Sequence, residues 1–438
     1  MRRRDFNRSI LGALAVPGLT HRAHAQGDLR VNGDRLMASL QSLGAIGKTD
    51  TGAQRVAYSE ADRAARALTL DLMRAAQLDV SVDAAGNLIG RRRGTVPSLP
   101  PILFGSHVDS VPNGGDYDGP VGSLSAIEVA RTLAERGVTT RHPLEVVVFQ
   151  NEEGGLIGSM AMIGVLTAAH LDRMSQSGMT IRDGIAAIGG NPDALGSAAR
   201  TPGSIAAYVE LHIEQGGTLD AESVQIGVVE GIVGIGWWDV TVEGIPNHAG
   251  TTPMDQRHDA LLSAARFIQE VNRVVRATPG RQVGTVGRIE ARPGAPNVVP
   301  GTVRLSLELR DLDAAKIRGL YGEIEQAAHA IGRDDGTTFS FRQTSENIPA
   351  LSTPAVRDAV RGAARRLGLS TKDMPSGAGH DAQDMAKLGP MGMIFIPSVG
   401  GISHSPREFS RPEDIANGAN VLLHTVLALD AGSRGVPR

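Results

Sequence analysis

The chain contains no cysteine among its 438 residues. Disulfide bonds and thiolate metal ligands are therefore excluded, and a metal ion would have to be held by histidine, aspartate or glutamate. Twelve histidines are available for that purpose. Aromatic residues make up only 3% of the chain, so a binding pocket would offer few rings on which a large aromatic ligand could stack.

Neither sign of charge is in clear excess. The chain has 44 basic and 47 acidic residues, which gives a formal net charge of -3. Binding to the phosphate backbone of nucleic acid needs a strongly basic surface, so nucleic acid is not an expected partner. The hydrophobic content is 41%, and a guide of roughly 150 residues per domain predicts two or three folded units.

Long apolar runs are also missing, and the one near the N-terminus is short. Paired arginines at residues 2–4 precede an apolar stretch from Ile10 to Leu19, and Ala23-His24-Ala25 offers a small-residue cleavage site. This order predicts a twin-arginine export signal over residues 1–25, cleaved after Ala25, and hence a periplasmic protein. A disordered basic start or a short membrane anchor is the alternative, but the run is shorter than the ~20 residues of a spanning helix.

The distribution of apolar runs predicts an α/β fold interrupted by a smaller domain. Buried-strand patterns alternate with helical periodicity up to about residue 235, which indicates a mostly parallel central sheet with helices on both faces. Between residues 236 and 349 the order becomes strand, helix, two strands, helix, strand, as in a ferredoxin-like βαββαβ unit. We therefore predict a main domain formed by residues 29–235 and 350–432, with residues 236–349 inserted into it.

Histidine and acidic residues directly follow the predicted strands of the main domain. They are His107, Glu152, Glu153, His212 and His404. Asp118 lies in a glycine-rich loop. Ligands bind beyond the carboxyl ends of the strands in open α/β sheets, so we expect these side chains to meet at one edge. Nitrogen and oxygen ligands without sulfur suit zinc, manganese or a similar divalent ion.

The same residues suggest which acids would bind metal and which would act as a base. A bridging carboxylate would let five side chains hold two ions, and Asp109 is placed to accept the second imidazole N–H of His107. Glu152 would then be free to act as a base. Any one of the histidines could instead be structural, and the Glu152-Glu153 pair could be a solvated turn. Several independent matches at strand ends favour the metal site.

Short motifs stand in order along the chain. They are GSHVDSV (105–111), GGDYDG (114–119), NEEG (151–154), ELHIEQG (210–216), HAGTTPM (248–254), PNVVPG (296–301), SGAGHDA (376–382) and GISHS (401–405). From about Val31 to the last predicted helix, the chain resembles the two-metal amidase branch of the aminoacylase and carboxypeptidase superfamily. That branch comprises N-carbamoyl-L-amino-acid hydrolases, allantoate amidohydrolases and β-ureidopropionases.

The resemblance implies a centre of two divalent metal ions per subunit. Asp118 would bridge the ions, with His107 and His212 completing one position and Glu153 and His404 the other. Zinc is the expected metal, with manganese, cobalt or nickel as alternatives.

The resemblance also implies roles in catalysis and substrate binding. Glu152 would be the general base, and His248 would stabilise charge on the carbonyl oxygen. The implied substrate contacts are Gln215, His248, Asn297, Arg310, Gly379 and His380. Arg310 offers a planar fork for a substrate carboxylate, although it could instead be a surface arginine paired with Asp311 or Asp313.

The inserted domain is implied to be a lid and a dimerisation domain, so a homodimer is expected. The implied reaction is hydrolysis of a C–N bond in an N-carbamoyl-L-amino acid, releasing the amino acid, CO2 and ammonia, or in allantoate. One departure is Gly155-Leu156-Ile157, which replaces the usual Arg-Phe pair on the substrate side of that loop and leaves the implied metal ligands intact.

Two other functions are compatible with the fold. One is a metallopeptidase or aminoacylase of the same superfamily, but those relatives tend to carry an acid where this chain has His212. The other is a non-catalytic exported protein that binds a metal or a solute. Retention of Glu152, which would bind no metal, argues against that reading.

Overall fold

The structure, a computed structural model, describes residues 29–432. The predicted export signal over residues 1–25 lies outside this part. The α-helices are α1 Gly33–Gly44, α2 Glu60–Ala75, α3 Pro120–Glu135, α4 Ile157–Met162, α5 Ala168–Leu171, α6 Ile181–Ala187, α7 Thr218–Ala221, α8 Ala260–Ala277, α9 Ala314–Asp335, α10 Pro354–Arg366, α11 Ala382–Met385 and α12 Pro412–Gly432. The strands are β1 Lys48–Thr49, β2 Gly52–Ala53, β3 Asp79–Val82, β4 Leu88–Arg92, β5 Ile102–His107, β6 Leu144–Phe149, β7 Ala207–Ile213, β8 Ile226–Ile232, β9 Gly234–Glu243, β10 Asn247–His248, β11 Val283–Thr285, β12 Ile289–Arg292, β13 Val298–Val299, β14 Thr302–Asp311, β15 Thr338–Asn347, β16 Ala350–Leu351, β17 Thr371–Ser376 and β18 Met391–Ile396.

The larger sheet is mixed. Its strand order is β16-β8-β18-β7-β5-β6-β4-β3, and β17 also pairs with β8. The central strands β18, β7, β5 and β6 are parallel to one another, whereas β3, β4, β8 and β16 add antiparallel pairings. The expectation of a mostly parallel sheet is therefore wrong at its edges. Residues 83–87 between β3 and β4 are too few for a parallel crossover, which needs a dozen or more.

Both faces of the larger sheet are covered. In β5, Ile102 and Phe104 join the core that contains α3 and α12, and Leu103 joins the opposite core with α11. Every residue of β5, β6, β7 and β18 is buried. Continuous apolar strands of this kind arise because each face of the sheet packs against helices.

A second sheet is formed by the part of the chain between β8 and β16, which are both strands of the larger sheet. Its order is β11-β14-β9-β15, with β12 also paired to β14, and α8 and α9 share its hydrophobic core. Asp259 and Asp313 accept backbone N–H bonds at the starts of α8 and α9, as N-cap residues do. Trp238 of β9 stacks on Tyr321 of α9, with ring centroids 4.6 Å apart.

The chain enters and leaves the second sheet at one place. Gly234 begins β9, and a Cβ atom there would lie 2.5 Å from Pro349, just after β15. The two connections are therefore in close contact. None of the helices between residues 29 and 432 combines the length and the apolar character needed to cross a bilayer.

Gly105 is required where β5 meets β6. A Cβ atom at this position would lie 1.8 Å from the backbone carbonyl oxygen of Val147, and backbone inside a sheet cannot move aside easily. We expect Gly105→Ala to lower the free energy of unfolding by about 3 kcal/mol, the upper end for overpacking. Chemical denaturation would measure the change.

Gly319→Ala is the matched control. This glycine is an exposed residue of α9 with nothing within 4 Å of an added Cβ atom, and alanine favours a helix by roughly 0.5–1 kcal/mol over glycine. Equal stabilities of the two variants would contradict this account of β5.

Candidate metal centre

Two buried histidines stand at the ends of neighbouring parallel strands. His107 is the last residue of β5 and His212 is the last but one of β7, and these strands pair in parallel. The centroids of their imidazole rings are 6.0 Å apart. The sheet thus brings together two distant parts of the sequence at its carboxyl edge, where ligands bind in this class of fold.

The loop that carries Asp118 passes directly over the His107 ring. Gly119 has a φ of +77°, and a Cβ atom there would lie 2.3 Å from the ring. Only glycine permits both this backbone conformation and this approach. Pro120 then opens α3, where the fixed φ of proline suits the first helical turn.

The carboxylate of Asp118 lies between two groups of side chains. Its Oδ1 is 3.1 Å from Nε2 of His212 and 3.9 Å from Nε2 of His107. Its Oδ2 is 3.1 Å from Nε2 of His404, which is 3.6 Å from Oε2 of Glu153. We call these groups the His107–His212 pair and the His404–Glu153 pair, with Asp118 common to both. In each group of three, the ligand atoms lie within 4.8 Å of one another.

The donor atoms suit divalent cations. Nδ1 of His212 is 2.9 Å from the carbonyl oxygen of Ile213, so a proton on Nδ1 leaves the Nε2 lone pair free. In the described part of the chain, buried Nε2 of His212 and Oε1 of Glu153 lack a hydrogen-bond partner. Buried polar atoms without partners are costly, and a cation coordinated by these atoms would remove the cost.

The pKa values reflect the same crowding of charge. Burial alone would raise the pKa of Asp118, but the imidazoles of His212 and His404, each 3.1 Å from one of its oxygens, hold it well below its ordinary value. Burial, with the nearby Asp118 carboxylate, raises the pKa of Glu153 to about 7. The hydrogen bond to Asp118 raises the pKa of His404 to about 9. Burial and the close approach of like and unlike charges together produce these shifts.

Asp109 supports the centre differently from the prediction. Nδ1 of His107 is 3.1 Å from the main-chain carbonyl oxygen of Asp109 and 3.6 Å from its carboxylate Oδ1. The carboxylate instead accepts the backbone N–H groups of Glu152 and Glu153, at 3.3 and 3.2 Å. The carbonyl oxygen of Asp109 is therefore the nearer partner of the imidazole, and the carboxylate holds the backbone of the Glu152–Glu153 loop.

Glu152 faces His107 but belongs to neither group of three. Its Oε2 is 3.8 Å from Nε2 of His107, and burial raises the pKa of Glu152 well above its usual value. The preceding residue, Asn151, has a φ of +51° and donates a 3.2 Å hydrogen bond to Tyr58. A buried carboxyl group held at the edge of a candidate metal site is a typical general base.

A cavity of about 510 Å³ opens beside the centre. Gln215 lines it and donates a 2.8 Å hydrogen bond to Oδ2 of Asp118, so the cavity reaches the centre. Arg310 lines it as well and is held by Oε1 of Glu308 at 2.6 Å and the carbonyl of Gly377 at 2.5 Å. Among the described residues, neither Asp311 nor Asp313 forms an ion pair with Arg310.

The 376–382 segment contributes one buried and one exposed residue. Gly379 is exposed. His380 is buried, and its ring centroid is 4.5 Å from that of His212. Nε2 of His380 is 2.9 Å from Oγ of Ser376, and burial lowers its pKa well below the usual value. His380 therefore supports the His212 ring as a neutral imidazole.

His248 and Asn297 are close to each other but not to the centre. His248 lies in a small sheet of β10 and β13, where it pairs with Val298, and Asn297 directly precedes β13. Both residues are exposed. The N–H of Ala249 donates to the carbonyl of Asn297 at 2.9 Å. Between residues 29 and 432, no hydrogen bond or ion pair connects either residue to Asp118 or its neighbours.

Three residues near the centre were missed in the sequence. Glu210 is fully buried and accepts hydrogen bonds from Ser106 and Tyr208, at 2.8 and 2.9 Å. Its position two residues before His212, on the same face of β7, is a signal that could have found it. Ser403 and Glu408 contact Asp118 and its loop, and Ser403 is beside His404 in the sequence.

A mixed α/β sheet with histidine and carboxylate side chains converging at its carboxyl edge is suited to hold divalent cations. The family model described as peptidase family M20/M25/M40 matches residues 103–428. The chain belongs to this family, whose enzymes are metal-dependent, and it is an amide hydrolase. The resemblance inferred from the motifs is thereby confirmed.

Three similar proteins cover nearly the whole chain. An N-carbamoyl-L-amino acid amidohydrolase of Geobacillus stearothermophilus is 42% identical over 92% of this chain and 100% of its own length. A ureidoglycolate hydrolase of Arabidopsis thaliana is 38% identical over 86% of this chain and 82% of its own. The crystal structure of a hydantoinase/carbamoylase family amidase from Burkholderia multivorans has a TM-score of 0.85 at 38% identity, covering 92% and 98% of the two chains.

Metal binding should release a proton from His404. In the metal-free protein at about pH 7 this imidazole is protonated, since its pKa is about 9, whereas a metal ion binds only the neutral ring. We expect the apparent metal affinity to rise with pH until His404 has lost its proton near pH 9. Calorimetry in two buffers of different ionisation enthalpy would measure the released protons.

Two variants make this measurement specific. His404→Gln should release fewer protons, whereas His329→Gln, which changes an exposed histidine of α9, should behave like the unchanged protein. Undiminished proton release by His404→Gln would show that this imidazole does not coordinate.

Proposed function

We propose that the chain hydrolyses the carbamoyl C–N bond of an N-carbamoyl-L-amino acid, or the corresponding ureido bond of allantoate. The observation that carries this proposal is the Asp118 carboxylate, which faces His212 with one oxygen and His404 with the other. The substrate class is that of two similar proteins, an N-carbamoyl-L-amino acid amidohydrolase and an allantoate deiminase. The products would be the free amino acid, CO2 and ammonia.

The proposed cofactor is a pair of divalent ions, with zinc expected and manganese, cobalt or nickel as alternatives. The His107–His212 pair would hold one ion and the His404–Glu153 pair the other, with Asp118 between them. Bound ions would lower the pKa of water to about 7 and polarise the amide carbonyl.

Glu152 is the proposed proton carrier. It would accept a proton from the attacking water and return it to the departing nitrogen, which requires a group that can hold the proton between the two steps. Burial of Glu152 raises its pKa well above the ordinary value, and this supports the role. A cation beside it would lower that pKa again toward neutrality.

The cavity beside the centre is the proposed substrate site. Gln215 would orient the ureido group, because its amide already reaches Asp118. Arg310 would bind the substrate carboxylate with its guanidinium group, replacing the bond that it now makes to Gly377. Gly379 is exposed two residues after Gly377 and would offer its backbone to the substrate, and the His380 ring packs against that of His212.

The inserted domain, residues 236–349, is proposed to act as a lid and to form a homodimer. His248 and Asn297 are exposed in this structure, so they could serve catalysis only after the domain moves or by reaching a second subunit. The export signal over residues 1–25 remains part of the proposal and would place the mature enzyme in the periplasm. The proposed main domain comprises residues 29–235 and 350–432, as predicted from the sequence.

Replacing the proposed base tests the mechanism. We expect Glu152→Gln to keep its bound metal but to lose roughly 10²- to 10⁴-fold in turnover, the usual contribution of a general base. Ammonia release from N-carbamoyl-L-amino acids, N-carbamoyl-β-alanine and allantoate would be measured beside metal content. Glu243→Gln, an exposed strand-end change, should keep full activity. Normal turnover by Glu152→Gln would remove its assignment as base.

Arg310→Lys tests recognition of the carboxylate. The change keeps a positive charge but removes the fork of two parallel donors, and a hydrogen bond to a charged group is worth roughly 1.5–3 kcal/mol. We expect kcat/KM for N-carbamoyl amino acids to fall about 10- to 100-fold. Substrates in which the carboxylate is replaced by a neutral amide should be affected little.

The control for Arg310→Lys is a second arginine of the inserted domain. Arg342 is exposed and paired with Asp239, so Arg342→Lys should leave kinetics unchanged. If Arg310→Lys slowed the charged and neutral substrates equally, Arg310 would be structural.

A further inference from the structure

Glu408 connects two loops that meet at the candidate metal centre. Its Oε1 accepts the backbone N–H groups of Tyr117 and Asp118, at 2.9 and 3.0 Å. Its Oε2 accepts the hydroxyl of Ser403 at 2.8 Å. The side chain is only 5% exposed. One buried carboxylate therefore fixes the backbone of Asp118 and also the residue before His404.

The fit between the two loops is close. A Cβ atom on Gly115 would lie 2.2 Å from Oε1 of Glu408, so the first loop could not approach in this way with a larger residue there. Tyr117 packs edge-on against Phe409, with ring centroids 5.8 Å apart. Neighbours on both sides of the carboxylate thus hold it in one position.

The hydroxyl of Ser403 has one proton to donate, and it lies within hydrogen-bond reach of Glu408 and of one particular oxygen of Asp118. Oγ of Ser403 lies 2.8 Å from Oε2 of Glu408 and 3.1 Å from Oδ2 of Asp118. That oxygen is the one facing His404, whereas Oδ1 faces the His107–His212 pair. Glu408 is therefore linked to one side of the centre more directly than to the other.

The other side of the centre has its own supports. His107 is held through Nδ1 by the carbonyl of Asp109, and His212 through Nδ1 by the carbonyl of Ile213. These supports come from strand ends, so the His107–His212 pair is fixed by the sheet. The His404 loop has no such strand, and His404 itself has a φ of +50°.

We propose that Glu408 is a positioning residue for the metal position formed by Asp118, Glu153 and His404, acting through Ser403 and the backbone of Asp118. The inference rests on the proposed two-metal function. Glu408 touches none of the atoms that would bind metal or substrate. It sets the distance between the Asp118 carboxylate and His404, and hence the affinity of that one position.

Glu408→Gln is the direct test. Glutamine keeps the size of the side chain but loses one of the two negative oxygens, so it cannot accept all three hydrogen bonds in the same way. Partners behind metal ligands typically contribute 10- to 100-fold in metal affinity. Metal-depleted protein would be titrated with Zn²⁺ by calorimetry and with Co²⁺ by visible absorption.

We expect the unchanged protein to bind two ions per chain. Glu408→Gln should bind the first with unchanged affinity and the second about 10- to 100-fold more weakly. Glu413→Gln, which changes an exposed glutamate in the first turn of α12, is the matched control and should bind both ions normally. Ser403→Ala removes the hydroxyl contact alone and should weaken the second ion in the same direction, even if Glu408→Gln folds poorly.

Different results would overturn different statements. If Glu408→Gln and Ser403→Ala bound both ions with the same affinities as the unchanged protein, the positioning role would be overturned. A uniform loss at both positions, together with a lower Tm of the metal-free protein, would make Glu408 a merely structural residue and would overturn it too. Failure of the unchanged protein to bind any ion would instead overturn the proposed function itself.

Discussion

Asp118 presents one carboxylate oxygen to His212 and the other to His404, and both N–O distances are 3.1 Å. Burying a carboxylate is unfavourable unless charges or hydrogen bonds compensate, so this arrangement constrains everything around it. Gly119 allows the loop to lie against His107, and Glu408 holds the backbone of Asp118. The surrounding strands and loops hold the Asp118 carboxylate in the one position where its two oxygens face His212 and His404.

The same region concentrates more acids than its imidazoles can balance. Burial raises the pKa of both Glu152 and Glu153, because like charges in a poorly solvated space oppose ionisation. Cations would relieve this repulsion where the ligands converge, at Glu153. Glu152 stays outside the two groups of ligands and keeps the ability to take up a proton. In the proposed mechanism, metal binding and base catalysis would therefore depend on the same local excess of negative charge.

Local patterns in the sequence predicted most of the centre. Apolar runs mark β5, β6, β7 and β18, and a residue just past a buried strand lies at a known edge of the sheet. Contacts between segments that are distant in the sequence have no corresponding local pattern. Glu408 lies 290 positions from Asp118, and nothing near it in the sequence reports the contact. The antiparallel pairing of β8 with β16 and β18, and the carbonyl that holds His107, also depend on tertiary packing. The distance of His248 from the centre depends on how the inserted domain is placed, which periodicity does not encode.

The ligands of the two positions are distributed unequally along the chain. His107, Asp118 and His212 all precede the inserted domain, whereas His404 follows it. During synthesis on the ribosome, the first three emerge long before the last, so a growing chain contains a half-built centre while the inserted domain is still being made. The His404–Glu153 pair can therefore come together only after the inserted segment has been synthesised, whereas the His107–His212 pair and Asp118 are all present before it.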